Sequence, residues 1–217
     1  MQSPDNSQTN NGVRAARSAQ STHSAHSVRQ ASGNKNRRTQ RERIRRLSRT
    51  ALYLALALTV HVLESVIFPP LPIPGVRLGL ANMVILTVLY TDGFKTAGIV
   101  SISRVFLGSF FSGTFLGIAF WPTLAGAITS TLVMAATRHF FKSRVSPVGV
   151  SVMGALAHNI SQLAAIYPFF PNAGLLYYLP FLILLAVPAG IITGVIARNI
   201  IAALNPSSAM EADAAQP

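Results

Sequence analysis

Between Ala51 and Ile201 the chain carries only two acids, Glu64 and Asp92, set among long apolar runs broken by Pro, Gly and short basic clusters. About 20 apolar residues make a helix long enough to cross the hydrocarbon of a bilayer. The pattern therefore predicts an all-α, polytopic membrane protein and excludes a soluble core. The positive charge lies elsewhere. Of 18 Lys and Arg, 11 fall in residues 1–50, which leaves Arg77, Lys95, Arg104, Arg138, Lys142, Arg144 and Arg198 for the rest, so the net charge of +12 belongs mostly to a tail. With no Cys there are neither disulfides nor thiolate metal sites.

Three segments follow. Residues 1–47, rich in Ser, Asn, Gln and Arg, lack the apolar residues a core needs and are expected to form a disordered, basic cytoplasmic tail. Residues 48–202 form the transmembrane domain, and 203–217 a second disordered tail. The run RRTQRERIRRLSR, Arg37 to Arg49, abuts the first apolar helix and is expected to sit on anionic headgroups. It lacks the interleaved aromatics of a nucleic-acid surface, so no nucleic acid is expected as a partner.

Six spans fit the apolar runs: about Ser48 to Phe68, Val76 to Tyr90, Thr96 to Phe111, Thr114 to Arg138, Pro147 to Tyr167 and Leu176 to Ile200. Pro122, Pro180 and Pro188 are expected to kink the fourth and sixth. Six crossings return both termini to one side. With that side cytoplasmic, the inner loops carry Lys95, Arg138, Lys142 and Arg144, and the outer loops are nearly uncharged, as the positive-inside rule requires of a cytoplasmic-membrane protein. Arg77, after the proline-rich turn PPLPIPG, is the one basic residue on the outer side.

Polar residues within the spans mark a cavity or a set of internal pairs. A cation at the bilayer centre costs at least ~2.5 kcal/mol, so one kept there has a partner or a polar pocket. The third helix aligns Ala97, Ser101, Arg104, Gly108 and Ser112 on one face, and the fifth aligns Ser151, Gly154, His158, Ser161, Gln162 and Ala165, with Asn159 adjacent. On the first helix Ala57, His61 and Glu64 share one side. Glu64 is the only acid within a span, and one carboxylate cannot neutralise both Arg77 and Arg104. Ala51, Ala55 and Leu58 lie on a different side of that helix, where small residues permit close backbone approach, either by a neighbouring helix of the same chain or by a partner. GxxxG pairs at Gly190/Gly194 and Gly113/Gly117 are expected to pack helices tightly. His61, Glu64 and His158 are conceivable metal ligands by type, but no paired ligand spacing occurs, and no metal or other cofactor is expected.

Absences narrow the function. There is no GxxxxGK[ST] phosphate loop, so any ATP drive comes from another chain. Asp occurs only at positions 5, 92 and 213, which leaves no Asp-rich motif to hold Mg2+ on a diphosphate. No Ser/His/Asp arrangement has a core acid other than Glu64.

Three separated segments, PLPIPGVRLGLANMV, SRVFLGSFFSGTFLG from Ser103 to Gly117 and SPVGVSVMGALAHNISQL from Ser146 to Leu163, resemble the Gx transporters, a bacterial membrane family also labelled heptaprenyl diphosphate synthase component I. The resemblance covers about residues 48–202. That family is similar to the S components of energy-coupling factor transporters, six-helix proteins that capture a substrate and dock on a coupling subunit driven by two ATPases. The resemblance implies an S-component-like bundle in which Ala51 and Ala55 match the small-residue docking motif of the first helix. Its other label implies a membrane accessory of a soluble prenyltransferase. The expectation is a substrate-binding subunit with no catalytic residues and a small, anionic substrate held by Glu64, Arg77, Asn82, Arg104, His158 and Gln162. A purely structural membrane partner and a stand-alone secondary transporter are the remaining readings, though inverted repeats are not evident.

Overall fold

A computed structural model describes residues 39–64, 79–141, 144–169 and 174–204, and within them every regular element is a helix. In chain order these are α1 Thr39–Glu64, α2 Asn82–Thr91, α3 Phe94–Phe111, α4 Phe120–Phe141, α5 Pro147–Ile166 and α6 Gly174–Leu204. The chain up to Arg49 and the chain from Thr50 onward are separate compact units. In the first, residues 39–49 are helical and exposed, although residues up to 47 were expected to lack structure. Arg, Glu, Gln and Leu are good helix formers, and Glu42 stands four residues ahead of Arg46, the favourable order for a helical ion pair.

Among the described residues four helices are long and apolar enough to cross a membrane: α1, α3, α4 and the Leu179–Leu204 part of α6. Two expected spans depart from that standard for different reasons. At 10 residues, α2 is about 15 Å long, half of the hydrocarbon thickness. It does not meet lipid along its length, because Asn82 and Val84 through Leu89 are all buried. At 20 residues, α5 is long enough, but its inward face carries Ser151, His158, Asn159 and Gln162, all at most 3% exposed, which dilutes its apolar content.

The start of α4 also departs from expectation. Residues 114–119 are turns rather than helix, with Gly113 at φ +66 and Leu116 at φ +59. The chain is held there by hydrogen bonds from the N–H of Thr114 to Ser109 O, Gly117 to Thr114 O and Phe120 to Gly117 O. The Gly113/Gly117 pair therefore lies off any helix and packs none. Pro122 consequently sits in the first turn of α4, where its missing N–H costs nothing and its fixed φ suits the helix, so it is no kink. Pro180 and Pro188 do lie inside α6, as the sequence predicts. At α5, Ser146 accepts the Gly149 N–H and Pro147 takes the first helical position, which fixes the start of that helix.

Packing follows small residues. A methyl group on Gly190 or Gly194 of α6 would lie 2.8 Å from Val152 Cα or 2.7 Å from Val148 Cα, so the GxxxG pair brings the backbones of α5 and α6 together. Ser151 and Thr193 share a 2.9 Å hydrogen bond across that contact. Gly154 receives Met134 of α4. Ser101 of α3 donates to Ala127 O of α4, and Thr131 donates to Ser101 Oγ. One apolar core joins Ala57 of α1, Val84 to Leu89 of α2, Val100 of α3, Met134 of α4, Val150 of α5 and Ala197 of α6. Outward the helices present Ile99, Phe110, Leu132, Leu184 and Ile192, each exposed, which is the surface a bilayer requires.

Candidate functional site

Each polar position on this bundle is reached by a specific helix, and helix directions decide which positions meet. Tyr53 meets Thr91, while Glu64 meets Gly79, so α1 and α2 run antiparallel. Gly126 near the start of α4 faces His158 and Gln162 in the second half of α5, and those two helices are antiparallel as well. The end of α1, the start of α2, the start of α4 and the second half of α5 therefore share one end of the bundle.

At that end a polar cluster is built from the backbone outward. Gly79 adopts φ +79, a conformation that favours glycine, and its N–H donates to Glu64 Oε1 at 2.7 Å. The same turn continues with the Asn82 N–H donating to Gly79 O. A Cβ on Gly79 would stand 3.2 Å from both Asn82 Nδ2 and His158 Cδ2, so the missing side chain lets this backbone lie against the imidazole. Gln162 lies one turn beyond His158 and its Nε2 is 2.9 Å from His158 Nε2. With the amide donating, Nε2 is the acceptor and Nδ1 carries the proton. Nδ1 faces the Gly126 backbone without reaching good hydrogen-bond geometry. Arg104, 2% exposed on α3, is near enough for its charge to act on the His158 ring. His61, 5% exposed on α1, packs its ring on Gly108 of α3.

Five of the six residues singled out in the sequence, Glu64, Asn82, Arg104, His158 and Gln162, are thus buried. Hydrogen bonds, close packing or charge link them through Gly79 and Gly126. Arg77 lies outside the described residues. Ala51 and Ala55 are exposed on α1. Among the described residues no three His, Asp or Glu side chains converge as metal ligands, so His61, Glu64 and His158 do not form a metal centre.

The cluster is not self-satisfied. The side chain of Asn82 is buried, yet neither its Oδ1 nor its Nδ2 has a hydrogen-bond partner. Asn159 donates from Nδ2 to Leu182 O at 3.1 Å and leaves Oδ1 unpartnered. A buried, unmatched polar atom costs about 1–3 kcal/mol, so this carboxamide is held at a cost to the fold. Gly79 and Gly126 contribute as much as the charged groups, by letting the His158 ring in, and sequence reasoning missed both. A glycine in an apolar helix reads first as packing, and only the facing residue reveals otherwise.

The opposite end is basic. Arg138 donates to Leu89 O and lies 4.2 Å from the centre of the Tyr90 ring, a cation–π contact that ties the end of α4 to the end of α2. Lys95, in the first turn of α3, and Arg144, in the connection between α4 and α5, lie at the same end.

A family model described as heptaprenyl diphosphate synthase component I matches residues 53–200, from the first apolar helix nearly to the end of α6. Comparisons with curated proteins and with solved structures gave no match. The match spans more than half of the chain and all of the helices that build the polar cluster, and on that basis the chain belongs to the heptaprenyl diphosphate synthase component I family.

Proposed function

We propose that this chain is a non-catalytic, substrate-binding membrane subunit of the S-component type, which captures a small molecule with an anionic group in the cluster of Glu64, Asn82, Arg104, His158 and Gln162. The observation that carries the reading is the buried Asn82 carboxamide with both polar atoms unpartnered. In this reading Arg104 attracts the anionic group, and Asn82, His158 and Gln162 orient the molecule by hydrogen bonds. The bundle crosses the cytoplasmic membrane six times over residues 48–202, with both tails cytoplasmic, because Lys95, Arg138 and Arg144 gather at one end and the inner side of a membrane protein is the basic one. The cluster then opens outward. The exposed Ala51 and Ala55 offer the close-approach face on which a transmembrane coupling subunit with its ATPases would dock.

The test is to purify the protein with its associated small molecules, identify them by mass spectrometry and titrate them back. Loss of binding in folded Arg104→Ala and Asn82→Leu variants supports the site. Full affinity in both removes it. A second reading is favoured by the family match: a membrane accessory of a soluble prenyltransferase that supplies the catalytic metal site this chain lacks. It requires copurification of that enzyme and a change in its product length when this chain is withdrawn.

A further inference from the structure

The basic end holds a feature that substrate capture at the other end does not use. An open groove of about 550 Å³ lies between the end of α2, the start of α3 and the last turns of α4, lined by Leu89, Phe94, Ala135, Ala136, Arg138 and His139. Its volume falls within the roughly 300–1,000 Å³ of small-molecule sites. The walls are mostly apolar. Ala135 and Ala136 contribute small side chains to it, and among the described residues its polar side chains are those of Arg138 and His139.

Its placement along the bundle is equally informative. The groove lies at the end of α4, a helix of membrane length, so it sits near the membrane surface, with Phe94, Phe140 and Phe141 49%, 78% and 54% exposed around it. The rim charge is predominantly positive: Arg138 lies on the groove beside the imidazole of His139 and Lys95 follows Phe94, against Asp92 nearby. The contacts of Arg138 with Leu89 O and Tyr90 hold its position while leaving further N–H groups of the guanidinium fork to donate. An apolar slot with a cationic rim at the membrane surface matches a molecule with a hydrocarbon chain and a negative head.

We propose that this groove binds an anionic phospholipid, one acyl chain lying on Leu89, Phe94, Ala135 and Ala136 and the headgroup phosphate on Arg138 and His139. The experiment is native mass spectrometry of the detergent-purified full chain titrated with phosphatidylglycerol, with phosphatidylcholine of the same chains, and with glycerol phosphate. The expected result is a saturable phosphatidylglycerol adduct at about tenfold lower concentration than phosphatidylcholine, and none with glycerol phosphate. Ala136→Trp, which fills the slot, abolishes the adduct, and Arg138→Gln removes the preference for the anionic lipid. Should Arg138→Gln fail to fold, His139→Ala, at an exposed position, carries the headgroup test with a smaller loss of preference. Equal binding of the two lipids, an equally strong glycerol phosphate adduct, or wild-type binding by folded Ala136→Trp each overturns the proposal.

Discussion

Gly126 and Gly98 are both helical glycines, and comparing their alanine variants separates the two effects a methyl group can have. A Cβ at Gly98 of α3 meets nothing within 4 Å. Gly98→Ala therefore gains only helix propensity, about 0.5–1 kcal/mol in favour of the folded state. A Cβ at Gly126 of α4 would stand 2.7 Å from His158 Cε1, 2.8 Å from His158 Nδ1 and 2.9 Å from Gln162 Cγ. None of those atoms is the end of a loose chain. The His158 ring is held between Gly126, Gly79 and Gln162, and neither His158 nor Gln162 is more than 2% exposed. Overpacking a filled site costs about 1–3 kcal/mol, which outweighs the propensity gain and shifts the imidazole away from Gln162. Both variants gain the same propensity, so they should differ by the overpacking cost alone, about 1–3 kcal/mol in reversible unfolding of the purified protein in mixed micelles. Gly126→Ala should also weaken binding of the captured molecule, and Gly98→Ala should not. Equal stability of the two variants would refute the close approach of α4 to His158, and with it the reason for a glycine there.

Further perturbations test other joints of the same cluster. Asn82→Leu replaces an unmatched buried carboxamide by an apolar side chain of similar volume and is expected to keep or raise stability, by up to about 3 kcal/mol, while abolishing ligand binding; paired thermal and binding measurements check this. Glu64→Ala leaves the Gly79 N–H without its acceptor and is expected to cost about 1–3 kcal/mol, whereas Glu64→Gln keeps an oxygen there and recovers part of it, read from unfolding midpoints. Gly190→Val puts a branched side chain against the α5 backbone and is expected to cost more than 3 kcal/mol or prevent folding, visible as aggregation in gel filtration. A double-mutant cycle on Ser151→Ala and Thr193→Ala should return a coupling of roughly 0.6 kcal/mol, the value usual for such bonds between membrane helices.

Much of this arrangement was legible in the chain because membrane helices write burial as polarity. The stripes on α3 and α5 both follow the helical period, and residues 97, 101, 104 and 108 and residues 151, 154, 158 and 162 are buried, whereas Ser112 is exposed and Ser161 and Ala165 are half-buried. The class of the protein followed from two acids in 151 residues between Ala51 and Ile201. Element boundaries were less legible. The expected start of the fourth helix at Thr114 rested on an unbroken apolar run, but lipid contact demands only apolar side chains, and a turn such as FFSGTFLG satisfies it as well as a helix does. Gly113 and a left-handed Leu116 decide the matter, and the second of these has no sequence signature. The shortness of α2 was illegible for the converse reason: its apolar content reflects burial among other helices as much as any contact with lipid.

That short helix has a consequence for where a ligand can sit. A helix of 10 residues leaves the chain before it to adopt other backbone conformations, and Gly79 to Ala81 do form a turn. Non-helical backbone within a membrane bundle is tolerated where neighbouring protein satisfies it or where it borders a polar cavity. Here part of that requirement is met by side chains: Glu64 accepts the Gly79 N–H, and Asn82, His158 and Gln162 gather against the same turn. A polar cluster whose only task was to tie down the turn would pair all its atoms, as Ser101, Thr131 and Ala127 do between α3 and α4. Asn82, at the point where the turn becomes helix, pairs neither of its two. The contrast between the two polar clusters, one closed and one left open at a carboxamide, is what favours capture of a molecule over a purely structural role.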